Sequence, residues 1–187
     1  PIIRALTRQA MDCKTFQGET GEDLALYQPL EMKARRVLFM GIGKHADATL
    51  ERFRQAAGKG VHLSQHAARG DAVVVVPDGD MGTEWTRGDL LTALAEGALL
   101  SNHCPNDYKS EPKIQALKAI RLHTDTTLAR KSQAALKRID AICRGTLQAR
   151  DWINQPANEK TPDLLARQMA QAARRHGVKA TIMDEKK

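Results

Sequence analysis

The amino-acid sequence predicts an α/β layered fold with a largely parallel or mixed sheet, and three observations carry the prediction. The run Asp71-Ala72-Val73-Val74-Val75-Val76-Pro77 is dominated by β-branched residues and closed by a proline, so it reads as a strand. Residues 86–100 and 128–153 place apolar side chains at helical spacing. Strand-like and helix-like segments alternate along the chain, the order that lays helices against a sheet.

Residues 2–11 read as the end of a helix. Residues 23–28 alternate and predict a strand, 29–34 a turn, and the apolar run 36–43 a buried strand, so the pair predicts a hairpin with a loop of medium length. Residues 47–57 have helical spacing, and Gly58 and Gly60 predict a break or kink after them. In 86–100, Leu90, Leu91, Leu94, Ala98 and Leu99 share one face. Residues 101–112 read as loop, and 113–123 contain a strand of ambiguous period. The long helix 128–153 gathers Leu128, Ala135, Ile139, Ile142 and Cys143 on one side. Thr161, Pro162 and Asp163 form a helix start: an N-cap, a proline at the first helical position and an acid near the positive dipole end. That helix is expected to stop at Gly177 and to be followed by a strand over 178–183.

Composition narrows the classes. Of 187 residues, 42% are apolar and 27% charged, the balance of a globular chain rather than a disordered one. Aromatics are 4%, so the core must be built from Leu, Ile, Val and Ala. The apolar stretches fall short of the roughly 20 residues a membrane span needs, and no secretory signal pattern opens the chain. Cys13, Cys104 and Cys143 are scattered and form no CxxC pair, which argues against a disulfide scaffold or zinc knuckle and for a reducing, cytoplasmic setting. The chain opens at Pro1 without Met and closes just after a strand-like run, so it is expected to be a fragment of a longer protein.

Charge is uneven. The net charge is +7, and between Lys109 and Arg150 stand ten basic and three acidic residues, which account for the whole excess. Arg130, Lys131, Lys137, Arg138 and Arg144 fall on the long helix and are the candidate contacts for a polyanion such as duplex DNA. The plainer reading is a solvated helix face, or one facing a further domain.

Candidate chemistry is sparse. Gly41-Ile42-Gly43-Lys44-His45-Ala46 fits a loose GxGxx(G/A) turn between strand and helix, so Gly41 and Gly43 are candidate nucleotide-binding positions. The acidic residue that should follow about twenty residues on is missing, and a tight turn explains the glycines as well. His62 and His66 would share a helix face as two metal ligands do, but Leu63 stands where a zincin has glutamate, and surface histidines are the plainer reading. His103-Cys104 reads as a loop thiol, and Asp78-Gly79-Asp80 as a turn. No residue set amounts to an active site.

Several segments, in order, resemble the leucyl aminopeptidase (cytosol aminopeptidase) family. They are Phe16-Gln17-Gly18-Glu19-Thr20-Gly21-Glu22, the strand Arg36 to Lys44 ("RVLLVGLGK" in the family), Glu96 to Leu100 followed by Tyr108-Lys109-Ser110, and Ala149-Arg150-Asp151-Trp152-Ile153-Asn154-Gln155-Pro156-Ala157-Asn158 with Thr161-Pro162. His103 and Pro105 stand where the family often has aromatics, and the family's first strand is expected to lie before Pro1. The resemblance implies an N-terminal three-layer macro-like domain, with a mixed, largely parallel sheet between helices, over residues 1–150. Residues 151–187 would be linker and the start of the catalytic domain. For the parent protein it implies hydrolysis of N-terminal residues from peptides, two zinc or manganese ions, a hexamer and a cytoplasmic home. The family's "VGKG" and "NTDAEGR" catalytic motifs are not found, so no catalytic or metal-binding residue, and no cofactor, is assigned to this chain. Asn154, Pro156, Asn158, Thr161 and Pro162 are assigned to a stiff interdomain connector. Some bacterial relatives in the family also bind DNA, which adds interest to the basic helix.

Overall fold

The computed structural model describes residues 2–12, 16–30, 32–67, 70–78, 84–105, 108, 110–111 and 114–183. Cys13, Gly79, Asp80 and Lys109 lie outside the described residues. The elements are α1 (Ile2–Asp12), β1 (Asp23–Tyr27), β2 (Arg36–Met40), a short 3-10 turn (His45–Asp47), α2 (Leu50–Ala67), β3 (Asp71–Val75), α3 (Arg87–Ser101), β4 (Ala119–His123), α4 (Thr126–Asn154) and α5 (Pro162–Arg175). Helices and a small parallel sheet together make the expected α/β fold. The chain divides into two compact units, Pro1–Cys143 and Arg144–Lys187.

In the first unit, β1 and β2 form the expected hairpin, with Asp23 opposite Met40 and Tyr27 opposite Arg36. β3 and β4 run parallel, Asp71 beside Ala119 and Val75 beside His123, joined by a crossover that contains α3. Alternation decides which side of this ribbon is covered. Ala72, Val74, Ile120 and Leu122 face the core, while Val73 and Val75 stay 59% and 46% exposed. The ladder is shorter than the segment 113–123 that suggested it. Ahead of β4, Asn102 clasps Leu117: its Nδ2 donates to the Leu117 carbonyl at 3.1 Å and its Oδ1 accepts from the Leu117 amide at 2.7 Å. A side-chain amide thus takes the place of a neighbouring strand.

The main core joins Phe53, Ala57, Val76, Leu90, Leu91 and Leu94, with Trp85 at its margin edge-on to Phe53 at 5.7 Å between ring centres. Aliphatic residues dominate it, as the scarcity of aromatics requires. Leu90 is 0% exposed, a burial that stabilises by about 1.5–3 kcal/mol.

α2 and α3 pack against one another at very short range, and this corrects the expected break at Gly58. α2 runs unbroken from Leu50 to Ala67. A Cβ on Gly97 would lie 2.0 Å from the Arg54 carbonyl oxygen, and one on Gly58 would lie 3.3 Å from that of Gly97. The glycines let two backbones meet, and that packing offsets a helix penalty of about 1 kcal/mol each. Polar clasps flank the crossing: Arg54 Nε donates to Glu96 Oε2 at 2.7 Å, Ser101 Oγ to the Gly58 carbonyl at 2.7 Å, and Gln65 Nε2 to the Ser101 carbonyl at 3.1 Å. Desolvation works against the Arg54 charge, but its hydrogen bonds to Glu96 and Glu51 outweigh that and raise its pKa.

α3 begins with a reciprocal cap. Thr86 Oγ1 accepts from the Asp89 amide at 3.2 Å, and Asp89 Oδ2 accepts from the Thr86 hydroxyl at 2.7 Å and amide at 2.9 Å. The donating hydroxyl first, and then the amide, hold the Asp89 carboxyl below the ordinary aspartate value of 3.8. The folded value is the lower one, so this stabilisation is complete above the unfolded value and is lost as pH falls through the folded value. Thr86→Ala is expected to cost about 1 kcal/mol at pH 7. In urea melts, the gap between wild type and Asp89→Asn should close as the pH is taken below about 4; a gap independent of pH would contradict the cap's ionic character.

α4 turns inward a side that overlaps the one its apolar residues suggest, keeping Leu128, Ile139 and Cys143 but not Ala135 and Ile142. Leu128, Ser132, Leu136, Ile139 and Cys143 form the covered line, whereas Ala135 and Ile142 are exposed. A buried serine in the seam hides this from a count of apolar residues alone. At its start, Asp125 Oδ1 accepts from the Leu128 amide at 2.8 Å and Oδ2 from Arg87 Nη1 at 2.9 Å. The amide first and then the guanidinium hold the Asp125 carboxyl below its ordinary value.

In the second unit α5 starts as read: Thr161 Oγ1 accepts from the Leu164 amide at 3.4 Å, and Pro162 opens the helix. It ends in a Schellman arrangement, the Val178 amide on the Ala173 carbonyl at 2.9 Å and the Gly177 amide on that of Arg174 at 3.1 Å. The strand expected over 178–183 is not formed. A strand needs a partner for its ladder, and the described residues of this unit supply only helices and turns.

Candidate functional site

The candidate nucleotide turn is built by two chain segments crossing. The 3-10 turn and Leu50 follow the glycines, so no helix N-terminus opens directly onto them. The Gly41 amide donates to the Glu22 carbonyl at 2.8 Å and the Gly43 amide to the Gly18 carbonyl at 2.9 Å. A Cβ on Gly41 would lie 2.0 Å from the Glu19 carbonyl oxygen. Gly41 therefore serves close approach of residues 18–22, and both amides that would cradle a phosphate are engaged within the chain. Glu22 organises the same crossing, its Oε2 accepting from the Gln17 and Glu19 amides, each at 3.0 Å. The glycine and glutamate positions of the segment 16–22 thus have structural work that their spacing alone does not reveal.

The basic residues Arg130, Lys131, Lys137, Arg138 and Arg144 are all on α4 and all exposed. Exposure is the ordinary condition of charged residues on a helix surface. Cys104 is half-buried and Cys143 buried. Asp78 pairs with Arg87 at 2.9 Å. His62 and His66 share a face of α2. Among the described residues, no group of three or more His, Cys, Asp or Glu side chains comes together to hold a metal ion.

The connector is hydrogen-bonded locally. Asn154 ends α4, and the Pro156 carbonyl accepts from the amides of Glu159 and Lys160, each at 3.0 Å, closing a turn that contains Asn158. Lys160 Nζ donates to the Ile153 carbonyl at 2.7 Å, so a cation sits where the helix dipole is negative. Asn102, Gly97 and Lys160 were not distinguished by sequence reasoning. Only Gly97, a glycine among leucines and alanines inside a strong helix, carried a signal.

These arrangements are scaffolding: a capped helix, a glycine crossing, a braced turn. Comparison with known proteins gives them a context. Residues 4–112 match the cytosol aminopeptidase family, N-terminal domain. A probable cytosol aminopeptidase of Acidobacterium capsulatum is 29% identical over 100% of this chain and 38% of its own length, and one from a Synechococcus species is 30% identical over 97% of the chain and 36% of its own. Among solved structures, a tomato leucine aminopeptidase mutant shares the fold with a TM-score of 0.74 at 20% identity, covering 94% of this chain and 34% of that one. A bottromycin maturation enzyme in complex with Mn superposes with a TM-score of 0.70 at 25% identity, over 92% of this chain and 34% of that one. The chain spans little more than a third of the length of these relatives. No described helix is long and apolar enough to cross a membrane. Matched over more than half its length by that family's domain, the chain belongs to the cytosol aminopeptidase family and carries its N-terminal domain.

Proposed function

We propose that this chain is the N-terminal, non-catalytic portion of a cytoplasmic metallo-aminopeptidase that removes N-terminal residues from peptides, and that it supports assembly and shapes access to a catalytic domain. The observation that carries the reading is the match of residues 4–112 to the family's N-terminal domain in a chain covering 38% of one such relative. In this reading residues 1–150 form a three-layer macro-like domain, and residues 151–187, braced by the turn at Pro156, lead into the catalytic domain. The break between the two compact units falls close to that boundary, at Cys143–Arg144, and in the second unit Ile153 is 71% and Met183 81% exposed. The parent enzyme is taken to be a hexamer.

Two zinc or manganese ions in the parent would polarise the scissile carbonyl and activate a water. The described residues of this chain do not fit such a pair, since no three ligating side chains converge. The ligands are assigned to the catalytic domain. The purified 187-residue chain is expected to leave leucyl anilide intact with added manganese or zinc, while the full-length parent turns it over. Turnover by the short chain would overturn the non-catalytic assignment.

A further inference from the structure

We propose that His62 and His66 form a two-armed chelate on α2 for a borderline first-row dication of the nickel, copper or zinc type. The inference does not rest on the function proposed above. The helix places the two residues one turn apart on one face, where side chains four positions apart are neighbours. Their Nε2 atoms lie 3.3 Å apart, while the ring centres are 4.8 Å apart and the rings stand at 85°. The rings therefore converge at the nitrogens. Two metal–nitrogen bonds of about 2.0–2.1 Å closing a 3.3 Å gap subtend roughly 104–111°, close to the tetrahedral angle.

The surroundings permit this. Both rings are exposed, so an ion arrives without moving the core. The cation one turn earlier, Lys59, is paired with Asp23 at 2.5 Å, and Arg36 Nη2 is held by the Leu63 carbonyl at 3.0 Å. No third ligating side chain joins the pair among the described residues, so water completes the coordination. Imidazole pairs of this kind take nickel, copper and zinc in preference to magnesium or calcium.

Nickel titrated into the 187-residue chain at neutral pH tests the site by calorimetry and thermal melting. One equivalent is expected to bind, and nickel is expected to raise the melting temperature because the unfolded chain does not hold the two rings together. His62→Ala and His66→Ala should each weaken binding at least roughly tenfold, since either loss removes the second arm of the chelate. The double variant, left with neither arm, should bind no tighter than either single one. His176→Ala, far along the chain at the C-cap of α5, should leave binding unchanged. Equal affinity in wild type and His62→Ala, or a loss only with His176→Ala, would overturn the proposal.

Discussion

Gly97→Ala is expected to lower the stability of the first unit by about 3 kcal/mol, near the upper end of what overpacking usually costs. The added methyl would stand 2.0 Å from the Arg54 carbonyl oxygen and 2.8 Å from its carbon. Both belong to the backbone of α2, so no rotamer change relieves the clash. The helices must separate, which loosens the Arg54–Glu96 and Ser101–Gly58 clasps at the same crossing. Gly145→Ala is the matched control: nothing lies within 4 Å of its Cβ position on α4. It should stabilise its helix by roughly 0.5–1 kcal/mol, through backbone entropy alone. Near-ultraviolet circular dichroism reads the first effect through Trp85, whose ring lies on Phe53 in the core. Its melting temperature should fall by roughly 6–12 °C in Gly97→Ala. Equal melting of the two variants would show that α2 and α3 do not meet this closely.

Gly41→Ala is the second large effect. Its methyl would meet the Glu19 carbonyl oxygen at 2.0 Å and the Gly18 carbonyl carbon at 2.8 Å. Residues 18–22 are held by short backbone bonds to Gly41 and Gly43 and by the Glu22 carboxylate. The substitution should destabilise this crossing by about 2 kcal/mol, and the amides of Gly21, Gly41 and Gly43 should exchange with solvent far faster. The Trp85 signal should change little, because the damage is confined to the hairpin end. Unchanged exchange at those three amides would refute the crossing and return the two glycines to the role of a phosphate turn.

Where local chemistry decides structure, the sequence was legible. The β-branched run became β3, and Thr161-Pro162 became a helix start. The hairpin followed from two apolar segments separated by a turn. Readings failed where tertiary contact overrides local preference. Gly58 and Gly60 look like helix breakers until α3 arrives against one and Met40 against the other. Ser132 is polar in sequence and buried in the fold, which rotated the covered face of α4 away from Ala135 and Ile142. Val178–Met183 has the composition of a strand but no partner among the described residues. At the candidate site, the glycine motif was visible but its use was not. Spacing shows that a backbone must come close to something, and only the hydrogen bonds show that the something is residues 18–22.

The parallel pairing of β3 with β4 also sets an order of events when the chain first acquires its shape. β1 and β2 are near neighbours along the chain and join quickly, but β3 must wait until α3 and the loops beside it have been made and brought round. During that wait the valine-rich stretch from Val73 to Val76 is an uncharged, unpaired edge of the kind that seeds aggregation. Asp71 at one end guards it, and its ion pair with Arg121 forms only when the late strand docks. Slowed synthesis between the two strands would therefore prolong the time this edge waits for its partner.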